Sequence, residues 1–344
     1  MRKLTTSVLA LMICGVVAAG PALACGGLVA SNGSINLERT STLAAYVDGV
    51  EHYITAFEFQ GGGAEFGSII PLPGVPTDVK RAGDWTLQRL VQEVTPIADS
   101  GTEEAAVSLG ASAGKATVLL ETEVDALDIT ILEGGGDEVG VWAKENGFAL
   151  PPDAPEVLDF YADRSPIFMA ARFDVARAEA SGQGNGDGTP IHLTIPTPNP
   201  WVPLRILGLG RAPGEIIEAD VFLLTENEPT MLPAPTDGVS LERSETASDF
   251  LLSDLRSDVG MKWLPKDGMH LSYLKIDTPA SQLNHDLAID ATGTTMPSYV
   301  AAGLNEPATP WRPSAPVPWG LLLGVLGVGA ALVLLLGRST PQRL

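Results

Sequence analysis

Four histidines, His52, His192, His270 and His285, are the side chains of this sequence best suited to holding a metal or shuttling a proton. They are dispersed, with no pair at metal-ligand spacing and no cysteine pair to complete a set, so a zinc or copper site requires two or more of them, or Cys25, to converge in the fold. Glu121, Glu123 and Asp125 alternate along one strand face and could bind calcium together with Asp128, but alternating charges on the exposed face of a half-buried sheet need no function. The loop Asn185-Gly186-Asp187-Gly188 has no bidentate Glu at calcium-loop distance and reads as a linker. Residues 110–117 resemble a phosphate-binding loop, yet the glycines are one residue too close and Ala116 stands where a magnesium-binding hydroxyl is required. Ser112-x-x-Lys115 has the spacing of penicillin-recognising serine enzymes, but Gly110 and Gly114 spoil the helix that would bring the two together. No Gly-x-Ser-x-Gly elbow occurs, and the carboxylates are too numerous for one pair to be singled out as general acid and base. The residues alone therefore assign no catalytic, cofactor-binding or metal-binding side chain.

The two ends of the chain say where such a domain would work. Arg2 and Lys3, an apolar stretch over 8–19, Gly20-Pro21 and the small triplet Ala22-Leu23-Ala24 follow the order of a secretory signal peptide over 1–24. Cleavage after Ala24 leaves Cys25 as the mature N-terminus and the one remaining cysteine, so an intramolecular disulfide is excluded. Lipidation of Cys25 fits less well than ordinary cleavage, because Ala22 stands where Leu is usual. At the other end residues 317–337 carry no charge and, at about 1.5 Å per residue, would extend roughly 31 Å as a helix, enough to span a bilayer. A transmembrane helix is expected over 319–337, with Trp319 at the outer interface and Arg338 inside, leaving 338–344 as a cytoplasmic tail. The prolines of 303–318 make an extended stalk, and Gly320 and Gly324 match the small-xxx-small pattern of a weak homodimer. The expected location is a single-pass cell-membrane protein with its domain outside.

Arg2, Lys3, Arg338 and Arg343 lie in the two ends, which leaves 17 of the chain's 21 basic residues against 42 acidic ones in between. Such a surface repels nucleic acid and anionic lipid.

The elements follow from patterning. Residues 40–47 and 50–60 are rich in β-branched and aromatic side chains and are separated by Asp48-Gly49, which predicts a hairpin. Further strands are expected over 65–70, around Asp125-Ala126 within 116–132, and over 166–175, 189–195, 202–207, 215–224 and 269–276. Helices are expected after Asp84, over 137–146, over 153–162 and over 248–259, with 178–188 a flexible loop. Strands outnumber helices without regular alternation, which predicts an α+β fold of predominantly antiparallel sheets with several short helices, plus the C-terminal transmembrane helix. A main domain over 25–230 and a smaller part over 231–302 are expected.

Cys25-Gly26-Gly27, Asp48-Gly49-Val50 and Ile69-Ile70-Pro71-Leu72-Pro73-Gly74-Val75-Pro76 resemble a known pattern. So do Trp142 with Asn146-Gly147-Phe148-Ala149-Leu150-Pro151, Leu158-Asp159-Phe160-Tyr161 and Pro200-Trp201-Val202-Pro203-Leu204-Arg205. The pattern is that of bacterial domain-of-unknown-function family 2330, over roughly 25–230. The resemblance implies an exported, often membrane-anchored protein and supplies no activity or catalytic residues. Many members of that family have a second cysteine soon after Cys-Gly-Gly, which 28–36 lacks here.

Three functions stay open at this level. The first is a non-catalytic module that binds an envelope protein or ligand. The second is an extracytoplasmic hydrolase using carboxylates, or a Ser and a His gathered in a cleft. The third is a metal-binding surface protein.

Overall fold

The computed structural model describes residues 27–30, 36–60, 66–95, 116–181 and 189–305. The Asp48-Gly49 hairpin is present: strands β2 (Asn36–Val47) and β3 (Val50–Gln60) are joined with Asp48 at φ 52° and Gly49 at φ 81°, the paired positive angles that a type I′ turn requires. They form the centre of a seven-stranded sheet. On one side β2 runs parallel to β11 (Ile216–Thr225), followed by β14 (His270–Pro279) and the edge strand β13 (Val239–Thr246). On the other, β3 pairs with β9 (Ile191–Pro196) and then β5 (Asp78–Arg81).

A second sheet of five strands has the order β1 (Gly27–Ala30), β4 (Phe66–Leu72), β8 (Ile167–Phe173), β7 (Leu127–Glu133), β6 (Thr117–Val124). A small third sheet joins β10 (Trp201–Val202), β15 (Leu287–Asp290) and β12 (Thr230–Leu232). Residues after 230 thus contribute strands to the seven-stranded and the three-stranded sheets.

Strand alternation divides the core. Ala44, Tyr53, Leu193, Ile195, Val221 and Leu223 lie on one face of the seven-stranded sheet. They pack in a single cluster with β4, β7 and β8 and with helices α2 (Gly136–Glu145) and α3 (Ala154–Ala162). Leu43, Ala45, Ile54, Phe222 and Leu224 lie on the other face, beneath α1 (Thr86–Val94) and α5 (Asp249–Ser257). Leu251, Leu252 and Leu255 anchor α5 there, each worth roughly 2 kcal/mol in area removed from water. Ser248 caps that helix, its Oγ accepting from the Leu251 N–H at 3.1 Å.

Neither acid that stands before an expected helix caps it with its side chain. Asp84 pairs with Arg81 rather than with α1, whose start is capped from a distant loop: the Asp258 carboxylate accepts from Trp85 N at 3.2 Å and Thr86 Oγ1 at 2.7 Å. Gly83 makes this possible, because a Cβ there would collide with that carboxylate. Asp153 receives the Gly210 N–H at 3.0 Å instead of closing α3.

The expected α+β class is corrected, because the described residues are mostly β-sheet, with 40% strand against 21% helix, the helix lying in five short α-helices among them and in 3-10 turns. Short strands account for the difference. β1, β5, β12, β13 and β15 are additional to the expected strands; β5 and β13 are charged and largely exposed, so their patterning shows little of a buried face. Residues 202–207 hold a 3-10 turn (Arg205–Gly208) after the two-residue β10, and 175–181, expected as the end of a strand and the start of a loop, form helix α4 (Val175–Ser181). Among the described residues no helix is long and apolar enough to cross a membrane, and the transmembrane helix included in the expected class falls outside them. Residues 319–337, with Gly320 and Gly324, lie outside the described residues, as do Cys25, Ser112, Lys115 and 185–188.

Candidate functional site: polar nodes around strand β3

Successive side chains of β3 point to opposite faces, so Glu51 and His52 enter different environments. His52 lies diagonally opposite His192 across the β3–β9 ladder, in which His52 faces Thr194 and Ile54 faces His192. Their facing nitrogens, His52 Nδ1 and His192 Nε2, are 2.9 Å apart. Trp263, from the loop after α5, stacks on His52 with ring centroids 3.6 Å apart and planes 4° from parallel. Burial lowers the His52 pKa to about 4 and, with its neighbour His52, the His192 pKa to about 3; Lys80 adds to both shifts. Both rings are therefore neutral at ordinary pH, and one donates to the other. The Trp263 Nε1–H beside them is buried and has no acceptor.

Glu51 faces the opposite way, in phase with Tyr53 and toward the small sheet. It is 0% exposed and neither carboxyl oxygen has a hydrogen-bond partner. Desolvation raises its pKa to about 8. The Trp201 backbone N–H favours the ionised form slightly but does not reach hydrogen-bond geometry. Glu51 thus keeps its proton at neutral pH. Tyr46, opposite it on β2, donates its hydroxyl to Thr197 O at 2.8 Å.

A third node lies beyond Trp201. Asp286, also 0% exposed, accepts from Tyr161 Oη at 2.8 Å, from Leu204 N at 2.7 Å and from Arg205 N at 2.9 Å, and is ion-paired with Arg164. The Arg164 guanidinium lies over the rings of Phe160, Tyr161 and Trp201 at 4.3, 4.9 and 5.0 Å. The Tyr161 hydroxyl in turn accepts the Ile206 N–H at 2.8 Å.

The strap over 197–206 ties these parts together. Thr197 N donates to Gly49 O at 3.3 Å, Gly74 packs on Pro196 O, and Trp201 carries the strap to the Asp286 node. The Asp48-Gly49-Val50 turn, the Pro-rich segment, Leu158-Asp159-Phe160-Tyr161 and Pro200-Trp201-Val202-Pro203-Leu204-Arg205 therefore meet around one strap.

Of the four histidines the structure brings together only His52 and His192. His270 Nε2 lies 2.9 Å from Ser244 Oγ on the exposed β13–β14 surface, with Ser244 donating to Glu228 at 3.1 Å. A Ser and a His are thus in reach, but the carboxylate contacts the serine rather than orienting the imidazole. His285 neighbours Asn284 Oδ1 at 3.1 Å. Three of the four acids considered for calcium are paired with arginines: Asp125 with Arg81, Asp128 with Arg172 and Arg177, and the 76% exposed Glu123 with Arg177 at 3.4 Å. Among the described residues no group of three His, Cys, Asp or Glu could hold a metal ion.

Glu51, Trp263 and Asp286 were not singled out from the sequence. For Glu51 a signal exists: it stands at the same strand phase as Tyr53 and Thr55, where an ionisable group is out of place.

No curated protein sequence matches the chain. A solved structure described as baculovirus P35 aligns over 76% of this chain and 99% of its own at 10% identity with a TM-score of 0.40, a likeness too distant to carry an argument. The family described as uncharacterized protein conserved in bacteria (DUF2330) matches residues 19–230, which include the hairpin, α3 and the strap, and the chain belongs to that family.

Proposed function

We propose that this is a non-catalytic binding module of the bacterial cell envelope, and that it captures an extended, positively charged polypeptide segment along the β6 edge. The supporting observation is β6 itself. It is an outer strand of the five-stranded sheet, and Val118, Leu119 and Leu120 are 42%, 38% and 37% exposed in succession. An edge strand offers a row of backbone donors and acceptors to an added strand, and exposed apolar side chains supply the contact area. Glu121 and Glu123 follow on the same strand, Glu123 remaining 76% exposed beside Arg177, and favour a basic partner. Residence outside the cytoplasm belongs to the same proposal and rests on the two apolar ends of the sequence.

The test titrates the full chain with a synthetic peptide of alternating Val and Lys and with its Val and Glu counterpart. Saturable binding of the lysine peptide, weakened about tenfold or more by Glu121→Lys with Glu123→Lys, is the expected result, since tenfold is about 1.4 kcal/mol. Equal binding of both peptides, or indifference to the substitutions, would overturn the reading. The Ser244–His270 encounter favours hydrolysis as a second reading; ester turnover lost in both Ser244→Ala and His270→Ala would establish it in place of the first.

A further inference from the structure

We infer that His52 and His192 form a two-coordinate site for a soft monovalent d10 cation, copper(I) or silver(I), closed on one side by Trp263. The inference does not depend on what β6 binds.

The geometry carries it. Two nitrogens each about 2.0 Å from one ion stand between roughly 3.3 Å apart, when bent, and 4 Å, when linear. The facing nitrogens are 2.9 Å apart, so side-chain rotation need open them by no more than about 1 Å to admit an ion. Each imidazole is on an interior strand of the sheet, paired on both sides, which holds the two rings in register.

The ligand count selects the ion. Imidazole suits both zinc and copper, but zinc in proteins takes three or four protein ligands. No third His, Cys, Asp or Glu joins the pair among the described residues. Two nitrogen donors satisfy a linear d10 monovalent cation.

The proton inventory also balances. One of the two facing nitrogens carries the shared hydrogen. When the ion enters, that ring takes up its other tautomer, the hydrogen moves to its outer nitrogen, and both facing lone pairs become available. No proton is lost and the site gains one positive charge. Lys80 lies beside His192 across the β9–β5 pairing, and its ion pair with Asp78 at 2.5 Å offsets its charge. Trp263, stacked on His52, shields that ring from water and reports on it optically.

The experiment uses silver nitrate in chloride-free buffer with the full chain carrying Cys14→Ser and Cys25→Ser, which removes both thiols. One equivalent of silver is expected to bind saturably and to change tryptophan emission. His52→Ala and His192→Ala should each raise the dissociation constant by more than about 100-fold, since outer-shell partners alone are worth 10- to 100-fold. His270→Ala and His285→Ala should leave it unchanged. Trp263→Phe keeps both ligands, so it should still bind silver while losing most of the emission change. Zinc at the same concentration should not displace the silver. Thermal unfolding of each histidine variant is followed alongside; a folded variant that binds silver as the parent does overturns the site. So does the absence of a saturable equivalent in the folded parent, or zinc binding equal to silver.

Discussion

Glu51 and Asp286 are equally buried carboxyls, and everything that distinguishes them lies in their partners. Asp286 receives a tyrosine hydroxyl and two backbone N–H groups and is paired with Arg164. Glu51 receives no hydrogen bond at either oxygen. Burial of a charge is costly unless it is paired and hydrogen-bonded, so the first acid acts as a structural rivet and the second stays protonated near neutrality. Trp201 touches both environments, its ring beside Arg164 and its backbone N–H toward Glu51. The two acids therefore teach that burial alone identifies neither a structural nor a functional group.

The comparison is broken most severely at Asp286. Asp286→Ala leaves Arg164 buried without its counter-charge and is expected to cost about 3–5 kcal/mol, measured by denaturant unfolding. Asp286→Asn should cost less, because an acceptor for Tyr161 and the strap remains.

Asp258 is an intermediate case, a buried acid whose donors are a helix start. Asp258→Ala, or Gly83→Ala, which drives a methyl into the carboxylate, should cost about 1–2 kcal/mol and loosen α1 selectively, read as faster hydrogen exchange of its first turn.

The histidine pair on the other face of β3 sharpens the contrast through its pH response. The folded pKa values of about 4 and about 3 lie below the ordinary 6.5, so the unfolded chain takes up protons first as pH falls. The stability this pair contributes is fully present above about pH 6.5 and is lost as pH falls toward 4 and 3. His192→Gln should flatten that acid limb in an unfolding series; an unchanged limb would show that the pair is not the cause.

Much of this arrangement was legible in the sequence, and the parts that were not have physical reasons. The Asp48-Gly49 turn, the Asp125-Ala126 turn between β6 and β7, and helices α2, α3 and α5 follow from local rules about turns, caps and periodicity. β13 was missed because its side chains are largely exposed and mostly polar, so no buried face shows in the pattern. The histidine pair does not show in the sequence, because its register depends on pairing β3 with a strand 140 residues away. Asp286 lies beyond the family match at 230, so its partnership with Tyr161 and Arg205 cannot be read from the motifs that contain them.

The most direct test of the account is the pH dependence of stability in the parent and in Glu51→Gln. A carboxyl whose folded pKa is raised from 4.5 to about 8 keeps its proton while the unfolded chain loses it, so the parent should lose stability as pH rises through that window. At about 1.4 kcal/mol per unit, the parent should fall by roughly 3–5 kcal/mol relative to Glu51→Gln between pH 4.5 and 8, and by no more beyond. A difference that is flat across the window, or of opposite sign, would contradict a protonated Glu51 and with it the distinction between the two buried acids.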